Sequence, residues 1–514
     1  MEEFQCIGRY TVNEEVRDKA RGKTVFTGDL KFPNLLHARI LRSPLAHARI
    51  RSIDKRRAMK VPGVKAILLG KDYPMLFGQS TVRDRPILAW ERVLHVGEPV
   101  AVVAAIDEQA AQEALEQIEV EYEPLPAVFD PVKAMEPDAP LLHPDLGTYQ
   151  RVGFIHPVPG TNICHHGFLR TGDPEKGFKE SDRIYENTFR VPAIQHCCLE
   201  PHVAVAKAEG GRVTLWSSTQ SPYVVRSEVC DTLGWELNRL RVIVPPLGGG
   251  FGNKATPAIE PMAVVLALET GGMPVRICLD RDEEFILKVR PAFVCSFKTG
   301  VKRDGTLVAF ESRLYLDNGA YADQGPSIAR TCCFTATGPY RIQHGRTDVY
   351  LMYTNNPVSA ALRGFGIPET AWGWESQLDI IAADLGIDPM EFRLKNALDE
   401  ESLSVTGEAM RNVGVKQCLH RVQQAMAWET GEVKGTGRGI AAAYKFGGGT
   451  AGSSVLLKMN EDGTADLLTS AIDMGQGLKT TLSQIAGEAS GFLLRIPKSL
   501  LTSGLRWPVA QRSA

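Results

Sequence analysis

The sequence predicts an α+β chain: a β-rich first unit carrying one helix, then two related lobes of hairpins with helices laid after them, the second lobe incomplete. Three observations carry this reading. Turn dipeptides separate β-rich runs at Gly210-Gly211, Asp304-Gly305 and Asp462-Gly463, a strong hairpin signal. Apolar residues at helical spacing follow these hairpins. The order hairpin, glutamine-bearing turn, helix occurs twice, over 203–235 and over 455–490.

The elements follow in chain order. In the first unit, residues 1–130, Pro99 to Ile106 is an unbroken apolar run of buried-strand length. Ala111, Leu115 and Ile118 then recur at helical spacing, predicting a helix from Glu108 to Ile118. Pro124, Pro126, Pro131, Pro137 and Pro140 mark loop-like sequence, so 131–180 reads as a link. The first lobe, 181–410, contains the hairpin Val203–Lys207 and Val213–Ser217 and a second hairpin turning at Lys302–Thr306. Helices are predicted at Tyr223–Trp235, Ile259–Thr270 and Glu369–Leu385, and at Val415–Trp428 in the second lobe, 411–490. The last three are long enough, and apolar on one face, to cover a sheet. The third hairpin turns at Asn460–Thr464. Gln220, after Ser218-Thr219, and Gln476, within Met474-Gly475-Gln476-Gly477, sit at equivalent strand-to-helix turns, so two lobes facing one site are expected. From Gly491 to Ala514 no helical or alternating pattern persists, and this stretch is expected to be an aberrant tail.

Composition excludes several classes. With 58 Lys+Arg against 60 Asp+Glu, the net charge of −2 gives no reason to expect nucleic acid or an anionic membrane as partner. No apolar run approaches the roughly 18 residues of a membrane span, and the first residues show no signal-peptide pattern. The ten cysteines are scattered without a C-x-x-C, which argues against zinc ribbons, iron–sulfur clusters and thioredoxin-type motifs. Reduced, buried thiols in a cytoplasmic protein are expected.

The densest chemical signal is Pro246-Leu-Gly-Gly-Gly-Phe-Gly-Asn-Lys254. Four glycines within 248–252 let backbone N–H groups approach a ligand, and Phe251 among them argues for a packed loop rather than a loose turn. No Gly-Lys-Ser/Thr closes the run, so it is not a P-loop. A second loop, Leu362-Arg-Gly-Phe-Gly-Ile-Pro-Glu369, puts Arg363 beside a glycine at a helix start, where a guanidinium can fork to an anion. Spacing alone leaves this balanced against a plain helix-entry turn. Gln195-His-Cys-Cys-Leu-Glu-Pro-His202 matches no zinc spacing and reads as a packed strand end. Gly447–Gly452 fits G-x-G-x-x-G, but a hairpin rather than a helix follows it, so a dinucleotide site is rejected. No Ser/His/Asp order or paired-carboxylate motif stands out, and the loops look built to hold a cofactor that does the chemistry.

Gln195-His-Cys-Cys-Leu-Glu-Pro201, Ser218-Thr-Gln220, Gly248-Gly-Gly-Phe-Gly-Asn-Lys254, Arg363-Gly-Phe-Gly-Ile-Pro-Glu369 and Met474-Gly-Gln-Gly477 occur in that order. Together they resemble the molybdopterin-binding large subunit of the xanthine dehydrogenase and aldehyde oxidase family. Leu41-Arg-Ser-Pro-Leu-Ala-His-Ala-Arg-Ile50 and Val96-Gly-Glu-Pro-Val100 are similar to its N-terminal hammerhead-like α/β domain. The resemblance covers about residues 6 to 490. It implies molybdenum–molybdopterin, in the cytosine dinucleotide form, hydroxylation of an N-heterocycle or aldehyde with oxygen from water, and electrons passed to 2Fe-2S and FAD on partner subunits. It implies that Gln220 bonds the apical oxygen of the metal, without any direct protein ligand to molybdenum. Gly249, Gly250, Phe251 and Gly252, Arg363 and Gly364, and Gln476 with Gly477, would bind the cofactor. Phe365 would stack on a planar substrate, and Arg330 is matched to a substrate-orienting arginine.

Departures from the family pattern qualify the substrate. Ala255 stands where purine-oxidising members often have a glutamate, and Gly364 stands where carbon monoxide dehydrogenases carry a cysteine. The family's C-terminal glutamate, its general base, is absent from this sequence, so no catalytic residue is assigned. Loss of such a base lowers turnover by a factor of about 10²–10⁴. The rival expectations are a catalytically inactive, truncated remnant or scaffold, and a half-enzyme completed by a second polypeptide.

Overall fold

The computed structural model describes residues 4–490 apart from 12, 429–434, 446–453 and 463. The Gly447–Gly452 run and the stretch from Gly491 onward lie outside the described residues. We label the strands of the main sheets and the helices that pack on them. They are β1 (Leu36–Arg42), β2 (Val64–Leu69), β3 (Pro99–Ala105), α1 (Glu108–Glu116), β4 (Ile163–Thr171), β5 (Arg183–Val191), β6 (Val203–Glu209) and β7 (Arg212–Ser217). There follow α2 (Pro222–Thr232), β8 (Leu240–Ile243), α3 (Glu260–Glu269), β9 (Val275–Cys278), α4 (Arg281–Leu287), β10 (Phe293–Val301), β11 (Leu307–Gly319) and α5 (Gly325–Thr335). Last come β12 (His344–Tyr353), α6 (Ile367–Leu385), α7 (Val415–Ala425), β13 (Val455–Met459), β14 (Ala465–Thr469) and α8 (Leu478–Ser490).

The fold is mixed α and β, as the pattern predicts. Seven strands form one sheet in the order β8-β7-β6-β9-β1-β3-β2. Its middle is the unbroken apolar run: every residue of β3 is buried, as a strand covered on both faces must be. The Gly210-Gly211 turn closes the β6–β7 hairpin with Glu209 opposite Arg212, and both glycines have positive φ, as a two-residue type I′ turn requires. Helix α3 is apolar all round, and Glu260 to Ala267 are buried against this sheet.

Five strands form a second sheet, β5-β10-β11-β12-β4. Its core gathers Phe293, Phe297, Phe310, Leu314 and Leu351 beneath Ile328 and Cys332 of α5 and Trp374 and Leu378 of α6. The Asp304-Gly305 turn joins β10 to β11, and Asp462 follows β13 in the short β13–β14 hairpin.

Two features differ from the sequence reading. The first unit is not closed on itself: β1 pairs in parallel with β9, Leu36 opposite Val275, so residues 1–130 share a sheet with the first lobe. The stretch read as a link, 131–180, contains β4, which pairs along most of its length with β12. Both pairings are between segments far apart in sequence, where hydrophobic periodicity carries no partner information.

Candidate functional site

The site begins where β7 ends. Ser217 donates through Oγ to Glu260 Oε1 at 2.7 Å, and Glu260 Oε2 accepts the N–H groups of Ala258 and Ile259. This buried carboxylate ties the strand end to the start of α3. Ser218 Oγ accepts from Val203 N–H at 2.9 Å, closing the base of the hairpin. The backbone therefore enters Gln220 from a fixed position.

Gln220 lies against the glycine loop. Its Oε1 accepts the N–H of Gly252 at 2.8 Å and that of Lys254 at 3.3 Å, and its own N–H donates to Lys254 O at 2.8 Å. With both acceptor positions filled, the amide presents Nε2, a donor, as its free end. A Cβ on Gly250 would sit 2.4 Å from Gln220 Oε1, so only glycine lets the amide lie there. Gly252, at φ +107, brings its Cα so close to the second loop that a Cβ would meet Ala361 O at 2.0 Å.

The two loops are joined. Arg363 N–H donates to Phe251 O at 2.9 Å, and Arg363 carries an exposed side chain. Phe251 and Phe365 both adopt left-handed backbone, φ 52° and 58°. Such conformations cost about 1–2 kcal/mol for a residue with a Cβ and persist where surroundings enforce them, commonly at functional sites. Phe251 is 44% exposed, an aromatic ring held out to solvent on a fixed loop.

Beneath both loops runs the segment 195–202. Cys198 Sγ donates to Gly250 O at 3.5 Å, and burial pushes this thiol up to about 11, so it stays protonated. His196 Nε2 contacts Ala361 O at 2.7 Å, and burial lowers the imidazole to about 4, so it is neutral and donates there. Glu284 of α4 accepts from His202 Nδ1 at 2.7 Å and Asn253 Nδ2 at 3.2 Å. Burial alone would raise that carboxyl; the charge and hydrogen bonds of His202 outweigh it and hold it at about 2. Lys254 Nζ donates to Glu200 O at 2.8 Å and Oε2 at 3.3 Å.

The structure thus brings Gln220, Gly249, Gly250, Phe251, Gly252 and Arg363 together. Gly364 and Phe365 continue directly from Arg363, whereas Arg330 and Gln476 make separate contacts. Gly364 has φ 110° and Phe365 is half-buried, with Lys445 Nζ 5.9 Å from its ring centroid. The 364–366 turn rests on the Ile328 and Cys332 face of α5. Arg330, two residues from each, lies on the opposite face, its guanidinium over the rings of Phe154 and Phe334. Gln476 turns back on its own loop, Oε1 accepting from Met474 N–H and Nε2 donating to Ile472 O, and Gly477 has φ 76°. No hydrogen bond joins the Gln476 side chain to the glycine loop among the described residues.

A cavity of about 440 Å³ lies at the opposite end of β7, lined by Gly211, Arg212, Trp235 and Arg239. Six strand residues, roughly 20 Å, separate it from Gln220. Among the described residues no cluster of His, Cys, Asp and Glu could hold a metal ion, and all ten cysteines are free thiols. No helix among them is long and apolar enough to cross a membrane.

His202 was weighed only as a metal ligand and rejected, Glu200 and Lys254 were named only within their motifs, and Glu284 was not singled out. Glu284 lies in the charged run Arg281–Glu284 and Lys254 in a glycine-rich loop, so nothing in the local sequence marks either as buried.

A glycine cradle with a side-chain amide donor, an exposed aromatic and an arginine is a site shaped to hold a ligand. Comparison with known proteins makes this specific. Residues 155–397 and 409–495 match two family models described as molybdopterin cofactor-binding domain. Residues 21–126 match that described as aldehyde oxidase and xanthine dehydrogenase, a/b hammerhead domain. The chain is 33% identical to a probable xanthine dehydrogenase subunit from Bacillus subtilis, over 93% of this chain and 64% of that protein. It is 33% identical to the nicotinate dehydrogenase large molybdopterin subunit of Eubacterium barkeri, over 82% of this chain and 96% of that one. The aldehyde oxidoreductase of Desulfovibrio gigas superposes with a TM-score of 0.81 at 26% identity, covering 92% of this chain and 53% of that one. The chain belongs to the molybdopterin-binding subunits of the xanthine dehydrogenase and aldehyde oxidase family. It spans just under two thirds of the length of the Bacillus relative.

Proposed function

We propose that this chain holds a molybdenum–molybdopterin cofactor, in its cytosine dinucleotide form, as part of a hydroxylase acting on an N-heterocycle or an aldehyde. The observation that carries the reading is the Gln220 amide, whose oxygen is consumed by Gly252 and Lys254 and whose nitrogen is left as an oriented donor. The cradle fits the group: glycines at 250 and 252 leave space that a Cβ would fill, and the exposed side is lined by a donor rather than a carboxylate.

When bound, the molybdenum supplies the oxygen-transfer and two-electron chemistry that no side chain here provides. The chain's own residues bind and orient. Gln220 Nε2 offers a hydrogen bond to an oxygen of the cofactor, and a fixed donor of this kind stabilises developing charge without reorganising. Phe251 walls the space above the loop, and Arg363 offers a forked donor to an anionic group. Electrons leave to 2Fe-2S and FAD on partner subunits, which agrees with the family's relatives being named as subunits. Ala255 beside the loop lysine favours substrates other than xanthine.

A second observation bears on the second lobe. All five residues of β13 are exposed, Val455, Leu456 and Met459 among them, whereas Val203 to Ala206 of the equivalent strand β6 are buried within the seven-stranded sheet. This supports a second lobe that packs against further polypeptide; an inactive scaffold is the rival.

The test uses the complex purified from its native cell. Gln220→Ala and Phe251→Ala are expected to lower turnover, the first by about 10²–10³ if one oriented donor is lost. Wild-type turnover in both variants would sink the assignment.

A further inference from the structure

We propose that Glu200 is a positioning residue for the cofactor site: it fixes both ends of the glycine loop and, through Lys254, orients the Gln220 amide. The proposal rests on the cofactor reading above and assigns the loop lysine an inward, structural partner.

Glu200 meets the loop at its first residue and its last. Its N–H donates to Gly248 O at 3.1 Å, and its Oε2 accepts the N–H of Gly248 at 2.8 Å. The same Oε2 accepts from Lys254 Nζ at 3.3 Å, and Glu200 O accepts from that ammonium at 2.8 Å. A single residue therefore spans the interval from Gly248 to Lys254 and sets the width of the loop's base. A Cβ on Gly248 would meet Glu200 Cβ at 2.4 Å, so the approach is as close as glycine permits.

Lys254 is the junction. Its side chain is fully buried and that of Glu200 nearly so, which turns the ammonium inward and away from any ligand over the loop. Its backbone holds the turn that carries Gln220: Lys254 O accepts from Gln220 N–H and from Thr219 Oγ1 at 3.1 Å, and its N–H reaches Gln220 Oε1. Moving the ammonium moves the two backbone groups that aim the amide. Residues that hold a cofactor-facing group in this way commonly change metal retention by 10–100-fold when altered.

Charge neutralisation and positioning make different predictions. Glu200→Asp keeps the charge but shortens the arm by one methylene, so one carboxylate can no longer reach Gly248 and Lys254 together. The paired variant Glu200→Gln with Lys254→Met removes both charges and leaves neither buried alone. For each, in the full complex, three quantities are read: Tm, molybdenum and pterin content per chain, and hydrogen exchange of the amides of 249–252. The expected result is a Tm within about 5 °C of wild type, a molybdenum content lowered about tenfold or more, and markedly faster exchange confined to the loop. Wild-type molybdenum content and loop exchange in both variants would overturn the proposal. An unfolded Glu200→Asp would assign the residue to stability alone and overturn it too. A wild-type complex free of molybdenum would instead remove the cofactor reading, and loop exchange alone would then decide whether Glu200 sets the loop.

Discussion

Two glycines two positions apart carry different loads, and substituting each separates site geometry from folding. At Gly250 a Cβ meets the end of the Gln220 side chain, a flexible group, and the backbone φ is not left-handed. Gly250→Ala is therefore expected to fold with Tm close to wild type while displacing the amide and lowering turnover. At Gly252 a Cβ meets the backbone oxygen of Ala361 at φ +107, where nothing yields cheaply. Gly252→Ala is expected to destabilise the protein by about 2 kcal/mol or more, read as a lower denaturation midpoint. Equal stability in the two variants would contradict the loop geometry. The cradle was legible at this scale because four glycines around a phenylalanine, unlike the glycine pair of a hairpin turn, mark backbone that approaches something closely. Glu200 and Lys254 were not, since a charge pair between residues 54 positions apart leaves no periodic trace.

Between elements, buried carboxylates join the first unit to the first lobe. Glu98, in the turn before β3, accepts from Tyr321 OH, and burial raises its carboxyl to about 7. The sign follows from linkage: the neutral form is favoured in the folded protein, so its stability contribution is full below about 4.5 and is lost as pH rises towards 7. Glu98→Gln does not titrate, so its stability relative to wild type is expected to improve over that window, by about 1.4 kcal/mol per pH unit at most. Urea midpoints measured at several pH values check this, and a difference independent of pH would contradict it. The same junction explains what the sequence hid. The Pro99–Ile106 run announced a buried strand, and the hairpins announced themselves by their turns. Nothing in Leu36–Ala38 announced Val275–Ile277 as partner, because parallel pairing across more than 200 residues is decided by the packed whole. The proline-rich stretch likewise concealed β4, whose residues Ile163, Cys164 and His165 are buried and whose remainder is more exposed.

Across the whole molecule, the least covered described element of the second lobe is β13, although Leu419 packs on Met390 and Ala397 and Glu488 bonds the N-terminal segment. The β13–β14 hairpin is a two-stranded sheet, an arrangement of marginal stability alone, and Leu456 and Met459 are open to solvent. Amides of 455–459 are expected to exchange rapidly in the isolated chain and to gain protection in the native complex; equal exchange in both would count against completion by further polypeptide. Gln220 and Gln476 echo each other in sequence, yet among the described residues Gln220 bonds the glycine loop at Gly252 and Lys254 while Gln476 bonds its own turn at Met474 and Ile472. The central claim concerns that first site, and the most direct test of it is molybdenum and pterin analysis of the complex purified from its native cell. The account predicts stoichiometric molybdenum and pterin in wild type, with cytosine nucleotide released on acid treatment. A correctly folded complex carrying neither would contradict it.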